Sequence, residues 1–287
     1  MISTHAATDP ARDEWYPVAI DARIAPDSLE AVTLMGEVVT VSRADDSQPL
    51  VRDAKGKRLS ACVGHGHIWA SLGRPQHALF TIPEAETADR RLVDCGAVRV
   101  KASPLRVVEN FLDIAHFPFV HTDILGAEPH TEVEPYQVKV RDTVDEVWAT
   151  KVRFFQPQAA KSAGDGQMTD YEYRVPAPCV SVLYKTCPPR PGEWDIIALF
   201  VRPIHEELSD AYAWMALYDD GNSLEDLIQF QQTIFLQDRA ILENQIPKKL
   251  PLDPKMETPT RADMTSIAYR RWLKRKGFTY GAETRVD

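Results

Sequence analysis

From Tyr136 to Leu217 the chain reads almost without pause as strands, and this run constrains the fold more than any other feature. The segments YQVKVRDT, EVWATKVRFFQ, MTDYEYRVPAPCVSVLYKT, WDIIALFVRPI and DAYAWMALYDD carry β-branched and aromatic residues at strand spacing. A polar, glycine-containing loop, QAAKSAGDGQ, separates two of them. Helical patterns fall outside the run. SPLRVVENFLDIAHF precedes it, with Ser103 as a cap and Pro104 at the first helical position. A long helix over Ser223–Gln245 follows, with Glu225 and Asp226 in its first turn, where the helix dipole favours acids. A final amphipathic helix, MTSIAYRRWLKRKGF, stops at Gly277, beyond the proline-rich stretch IPKKLPLDPKMETPTRAD. The pattern is α+β: a largely antiparallel sheet with helices before and after it.

The first hundred residues are also β-rich. WYPVAI, EAVTLMGEVVTVSR, GHIWASLG and LVDCGAVRVKA read as strands, with ADDSQP as a turn and RPQHALFTIPEAETADRR as an irregular connection. The chain therefore divides into a β-rich region over 1–100 and a second domain over 101–287. A formal net charge of −9 argues against a nucleic-acid surface. The basic stretches at Lys248–Lys249 and Arg270–Lys276 read as solvated faces. No apolar run approaches the ~20 residues that span a bilayer, and MISTHAATDPARDEW holds no signal-peptide core. Four scattered cysteines suit a reducing compartment, so a cytoplasmic protein is expected.

One carboxylate lies in the wrong place. Leu227, Ile234, Phe235, Ile241 and Leu242 mark the apolar stripe of the long helix, and Asp238 falls on it. A carboxylate there must be paired, protonated or bound to a metal. A partner set lies upstream in ENFLDIAHFPFVH, residues Glu109–His121. If Asn110–Phe117 is helical, Asn110, Asp113 and His116 share a face. His121 does not: positions i and i+5 of a straight helix lie about 140° apart. Pro118 must bend or end the helix for His121 to return towards His116. Two histidines and a carboxylate on one side of an ion form the facial triad of non-haem Fe(II) oxygenases.

Other metal and hydrolase chemistries fit less well. His-x-x-x-His zinc hydrolases need a different interval and an intervening Glu. A nucleophile elbow, Gly-x-Ser-x-Gly, is absent. Cys62 and His65 have metal-like spacing, but no second Cys-x-x-His or Cys-x-His accompanies them. His5, His65, His67, His77, His130 and His205 read as surface or structural. Glu109 and Glu243 flank the motifs as candidate outer acids rather than ligands.

With these residues in place, the chain resembles the oxygenase α components of Rieske-type non-haem iron oxygenases. The family pattern Asn/Glu-x-x-Asp-x-x-His, followed after four residues by His, matches Asn110, Asp113, His116 and His121. FLQDRAILENQ is similar to the later helix whose Asp is the third iron ligand, Asp238 here. ETPTRADMTSIAYRRWL resembles the C-terminal segment of the aromatic and heterocyclic demethylase branch. The resemblance, from about Glu14 onward, implies a helix-grip (START-like) catalytic domain whose curved sheet holds mononuclear Fe(II). It implies that Asp113 bridges His116 to a neighbouring Rieske cluster and that Asn110 lies near the iron. It also implies a trimer-like oligomer.

Members of the family carry a Rieske [2Fe–2S] domain held by two cysteines and two histidines. This chain begins like one at EWYPVAI and LMGEVVTVSR and resumes at GHIWASLG, without the cluster-bearing middle. The expectation is a truncated, cluster-free Rieske-like remnant, since one Cys/His pair cannot hold the cluster. A methylxanthine-demethylase branch of the family has this truncation and a similar size. The resemblance then implies O₂-dependent N-demethylation, 7-methylxanthine giving xanthine and formaldehyde. Electrons from NAD(P)H would arrive through a partner reductase bearing an additional Rieske domain, with further complex subunits possible. O-demethylation or hydroxylation of another aromatic substrate, and a non-catalytic subunit role, remain open alternatives.

Overall fold

In the computed structural model, residues 9–45, 47–158, 166–219 and 221–284 are described. His5 and most of the loop QAAKSAGDGQ lie outside them. Two three-stranded sheets come first. One has the order β1 (Tyr16–Ile20), β6 (His67–Ser71), β5 (Ser60–Gly64). The other has the order β2 (Glu30–Leu34), β3 (Glu37–Arg43), β4 (Pro49–Asp53). EAVTLMGEVVTVSR is thus a hairpin. Met35 and Gly36 turn it with φ of 51° and 81°, the positive pair a tight hairpin requires.

The strand-rich run builds a seven-stranded antiparallel sheet. Its members are β7 (Arg91–Val100), β8 (Gln137–Arg141), β9 (Glu146–Gln156), β10 (Gln167–Ala177), β11 (Val180–Thr186), β12 (Trp194–His205) and β13 (Leu208–Leu217). Their order is β7-β13-β12-β11-β10-β9-β8. β7 begins at Arg91, so the large sheet starts ahead of residue 101.

Strand periodicity sends alternate residues to opposite faces. On one face Val182, Tyr184, Phe200 and Trp214 pack against Trp69 and Ile82 from the N-terminal region. On the other, Tyr171, Tyr173, Leu183 and Leu199 join a core shared with the helices.

Those helices are α1 (Pro104–Leu112), α2 (Phe117–Val120), α3 (Leu224–Leu242) and α4 (Met264–Lys276). Their ends follow the capping residues. Ser103 accepts from the Arg106 amide, Ser223 accepts from the Asp226 amide, and Gly277 closes α4 at φ 67°.

Two expectations change. The helix through Asn110–Phe117 is two pieces: α1 ends at Leu112, and Asp113 is extended at φ −85°, ψ 131°. The Asp113 side chain takes the Ala115 amide at 2.8 Å, a local bond that competes with the helical ladder. Pro118 then sits in the first turn of α2, where its missing N–H costs nothing. On α3, the buried stripe is Leu227, Gln231, Ile234, Phe235, Asp238 and Leu242, whereas Ile241 is 52% exposed. No helix among the described residues is long and apolar enough to cross a membrane.

Candidate metal centre

The break between α1 and α2 is what assembles the site. The chain turns at Asp113–His116, and α2 carries His121 back towards His116, so their Nε2 atoms stand 3.1 Å apart. Asp238, from the buried face of α3, places Oδ1 3.2 Å from His116 Nε2 and 3.0 Å from His121 Nε2. Asn110 Nδ2 donates to the same oxygen at 3.4 Å. The carboxylate on the apolar stripe is therefore held by two histidines and an amide.

The outer nitrogens are also held. His116 Nδ1 lies 3.0 Å from Asp113 Oδ2, and His121 Nδ1 lies 2.8 Å from Gln237 Oε1. With those acceptors taking the Nδ1 protons, both Nε2 lone pairs are free to face one point. Burial acts to lower the His116 pKa, but hydrogen bonds to Asp113 and Asp238 outweigh it and raise it to about 9. Burial would raise the Asp238 pKa, yet hydrogen bonds from His116 and His121 bring it below the usual carboxylate range.

The donor set fits a mononuclear ion. Among the described residues, His116, His121 and Asp238 form the one cluster of three possible ligands close enough to share it. Donors about 2.1 Å from an ion and at right angles lie roughly 3.0 Å apart. The three separations here match that spacing without movement of the backbone. Two imidazoles and one carboxylate, with no thiolate, suit iron(II) with open positions rather than a closed zinc site.

Residues 100–277 match the family of vanillate O-demethylase oxygenase C-terminal domains. The chain belongs to this family of Rieske-oxygenase catalytic domains. It is 43% identical over 277 residues to probable methylxanthine N7-demethylase NdmC of Pseudomonas sp. strain TJI-51, covering 96% of this chain and 98% of that protein. Methylxanthine N1-demethylase NdmA of Pseudomonas putida is 23% identical over 79% of this chain and 63% of that protein. Among solved structures, Pseudomonas putida CBB5 NdmA with caffeine superimposes with a TM-score of 0.70 at 18% identity, covering 96% of each chain. Dicamba monooxygenase bound to 3,6-dichlorosalicylic acid gives a TM-score of 0.71 at 14% identity, covering 95% of this chain and 99% of that one. At these identities the two structures bear on the fold alone.

In this Rieske-oxygenase domain the triad separates two cavities. One, about 260 Å³, is lined by Asp113, His116, Arg106, Glu109, Glu257 and Arg270. Here the sequence reading needs correction. Arg270 is only 7% exposed, not part of a solvated basic face. Its guanidinium meets Glu109 at 2.6 Å and Glu257 at 2.5 Å, while Arg106 meets the same two acids at 2.9 and 2.5 Å. Glu109 thus braces α1 against α4 and does not touch the histidines. Glu243 pairs with Arg239 and the Lys101 amide on the surface, and Lys249 pairs with Glu206.

The other cavity lies between α3 and the sheet. Phe117, Leu125, Tyr173, Leu183 and Leu199 line it beside the triad. It continues into a space of about 400 Å³, the two sharing Lys185, Ile197, Phe230 and Gln231. Sequence reading missed these lining residues. Strand alternation could have grouped Tyr171, Tyr173, Leu183 and Lys185 on one face, but not which face is covered by helices.

Among the described residues, the other histidines are structural or exposed. His65 stacks on Phe80 at 4.9 Å and its Nε2 meets the Phe80 carbonyl. His67 is fully buried among Trp69, Phe200 and Tyr212, and the His130 ring lies tilted against Phe155 at 4.3 Å. Cys62 is half-buried on β5 and packs against the aromatic cluster around Trp69.

Proposed function

We propose that this chain is the iron-bearing oxygenase component of a methylxanthine N-demethylase, acting on 7-methylxanthine to give xanthine and formaldehyde. The observation that carries the reading is a complete His116–His121–Asp238 donor set in a chain 43% identical to an N7-demethylase. Those three residues would hold iron(II), which when bound supplies the site where O₂ is reduced and delivered to a methyl C–H. In the balanced reaction, N–CH₃, O₂, two electrons and two protons give N–CH₂OH and water. The carbinolamine C–N bond then breaks, its hydroxyl proton passes to the ring nitrogen, and formaldehyde leaves.

The remaining steps fall to the chain's own residues. Asp113 and Gln237 hold the two imidazoles by Nδ1, keeping each Nε2 directed at the ion. Asn110 steadies the carboxylate of Asp238. The apolar walls given by Phe117, Leu183, Leu199 and Phe235 keep water from the reacting methyl group and orient a flat ring. Asp113, at the rim of the charged cavity, faces the side from which a partner's Rieske cluster would deliver electrons. NAD(P)H would act only through that reductase, and trimer-like assembly or further subunits belong to the same proposal.

The division into a cluster-free Rieske-like region over 1–100 and a catalytic domain over 101–287 is also part of it. Two small sheets before residue 72 support that division, and β7 ties the regions together. Four free cysteines suit the cytoplasm.

The test is reconstitution with Fe(II), 7-methylxanthine, NADH and a reductase carrying an extra Rieske domain. Xanthine and formaldehyde in equal amounts are expected. Turnover of a methoxybenzoate instead of the purine would establish an O-demethylase. A chain that takes up no iron would leave the scaffold reading.

A further inference from the structure

The neck between the two spaces on the α3 side holds a buried lysine and a buried aspartate on neighbouring strands. Lys185 on β11 lies opposite Asp195 on β12 and opposite Tyr171 on β10, three residues in one cross-strand row. The next row along the same face is Tyr173, Leu183 and Ile197, with Met215 beyond. Lys185 is 8% exposed, and its ammonium makes no hydrogen bond to any described residue. Asp195 is the acid that faces it, but Asp195 Oδ1 is already engaged by the Tyr218 amide at 3.1 Å. Burial lowers the Lys185 pKa to about 8 despite that acid. Three more polar atoms on the cavity wall lack partners: Gln156 Oε1 and the hydroxyls of Tyr171 and Tyr173.

Such a cation is costly to keep dry unless something accepts its hydrogen bonds. The charged cavity on the opposite side of the triad shows how this chain treats charges it needs only for structure: Arg106 and Arg270 each meet two carboxylates. Lys185 has no such saturation, and it lines both the space beside the triad and the larger one behind it.

We propose that Lys185 selects the substrate by donating to a carbonyl oxygen of a carbonyl-rich heterocycle, the dione half of a xanthine, while the methyl end faces the metal triad. This rests on the methylxanthine reading above and names the group that recognises it. Asp195 keeps the ammonium charged and aimed across the neck. An ammonium-to-carbonyl bond in a dry site discriminates strongly, because a ring without the oxygen leaves the buried cation unanswered.

The test is calorimetric binding to the full-length chain, held anaerobic so that nothing turns over, with two probes. 7-Methylxanthine carries both carbonyl oxygens and 7-methylpurine carries neither. The unaltered chain should bind 7-methylxanthine at least about tenfold more tightly. Lys185→Met should weaken 7-methylxanthine about ten- to hundredfold and leave 7-methylpurine nearly unchanged.

Lys185→Met strands Asp195, so Lys185→Met combined with Asp195→Asn repeats the measurement with no charge left unpaired. The same loss of discrimination is expected there. If either folded variant keeps the original preference, or loses both probes equally, Lys185 is not the selecting group. If the unaltered chain binds neither probe, the methylxanthine reading falls and takes this one with it.

Discussion

The two sides of the proposed metal triad are built on opposite principles. On the Asp113 side, three buried charges from α1 and α4, Arg106, Glu109 and Arg270, and half-buried Glu257 from the segment before α4 answer one another. On the α3 side, apolar walls surround polar atoms with no partner, Gln156 Oε1 and the Tyr173 hydroxyl among them. A saturated network braces helices, and its charges have little left to offer a ligand. Unsaturated groups in a dry cavity are stable only when a ligand or water completes them. The contrast assigns rigidity to one side and recognition to the other.

The largest effect should come from the triad that both sides share. His116→Ala, His121→Ala and Asp238→Ala are each expected to lower iron content to near zero and turnover to background, with circular dichroism unchanged. Full iron occupancy and turnover in any one would remove that residue from the metal site. Asp113→Asn keeps the shape of the bond to His116 but loses its charge. About ten- to hundredfold less turnover is expected, with iron and 7-methylxanthine still bound. Full activity would show that electrons enter from elsewhere and would blur the division between the sides.

The bracing role predicts a stability effect. Glu109→Ala leaves buried Arg106 and Arg270 to share Glu257 alone, so unfolding free energy should fall by about 2–3 kcal/mol, measured in urea. The 7-methylxanthine affinity of the folded fraction should be unchanged; weaker binding would mean that the charged side also recognises substrate.

The smallest effect is acid sensitivity. Burial acts to raise the Glu257 pKa, but hydrogen bonds to Arg106 and Arg270 bring it below its ordinary 4.5. A depressed folded-state pKa gives stability that is complete above the unfolded value and is lost as pH falls through the folded one. Glu257→Gln should therefore cost stability at neutral pH and flatten the decline below about pH 4.5. An unaltered acid limb would show that Glu257 contributes little to it.

Much of this was legible in the amino acids because it is local. Ser103, Pro104, Ser223 and Gly277 mark helix ends through bonds made within a few residues. Strand alternation marks the sheet, and Asp238 stands out because a carboxylate on an apolar stripe needs an explanation. His116, Pro118 and His121 suggest a turn by covalent geometry alone. These features point to the proposed His116–His121–Asp238 triad and to the α+β class through local signals.

The rest depends on contacts across the chain. Nothing local distinguishes buried Arg270 from exposed Arg271, because Glu109 and Glu257 reach it only after folding. Ile241 looks as buried as Leu242 by type, yet α3 turns it outward. Lys185 reads as an ordinary strand lysine until α3 covers that face of the sheet and removes it from water. Periodicity tells which residues share a face; the packing of another element decides what that face meets, and hence whether a charge there is solvated, paired or left for a ligand.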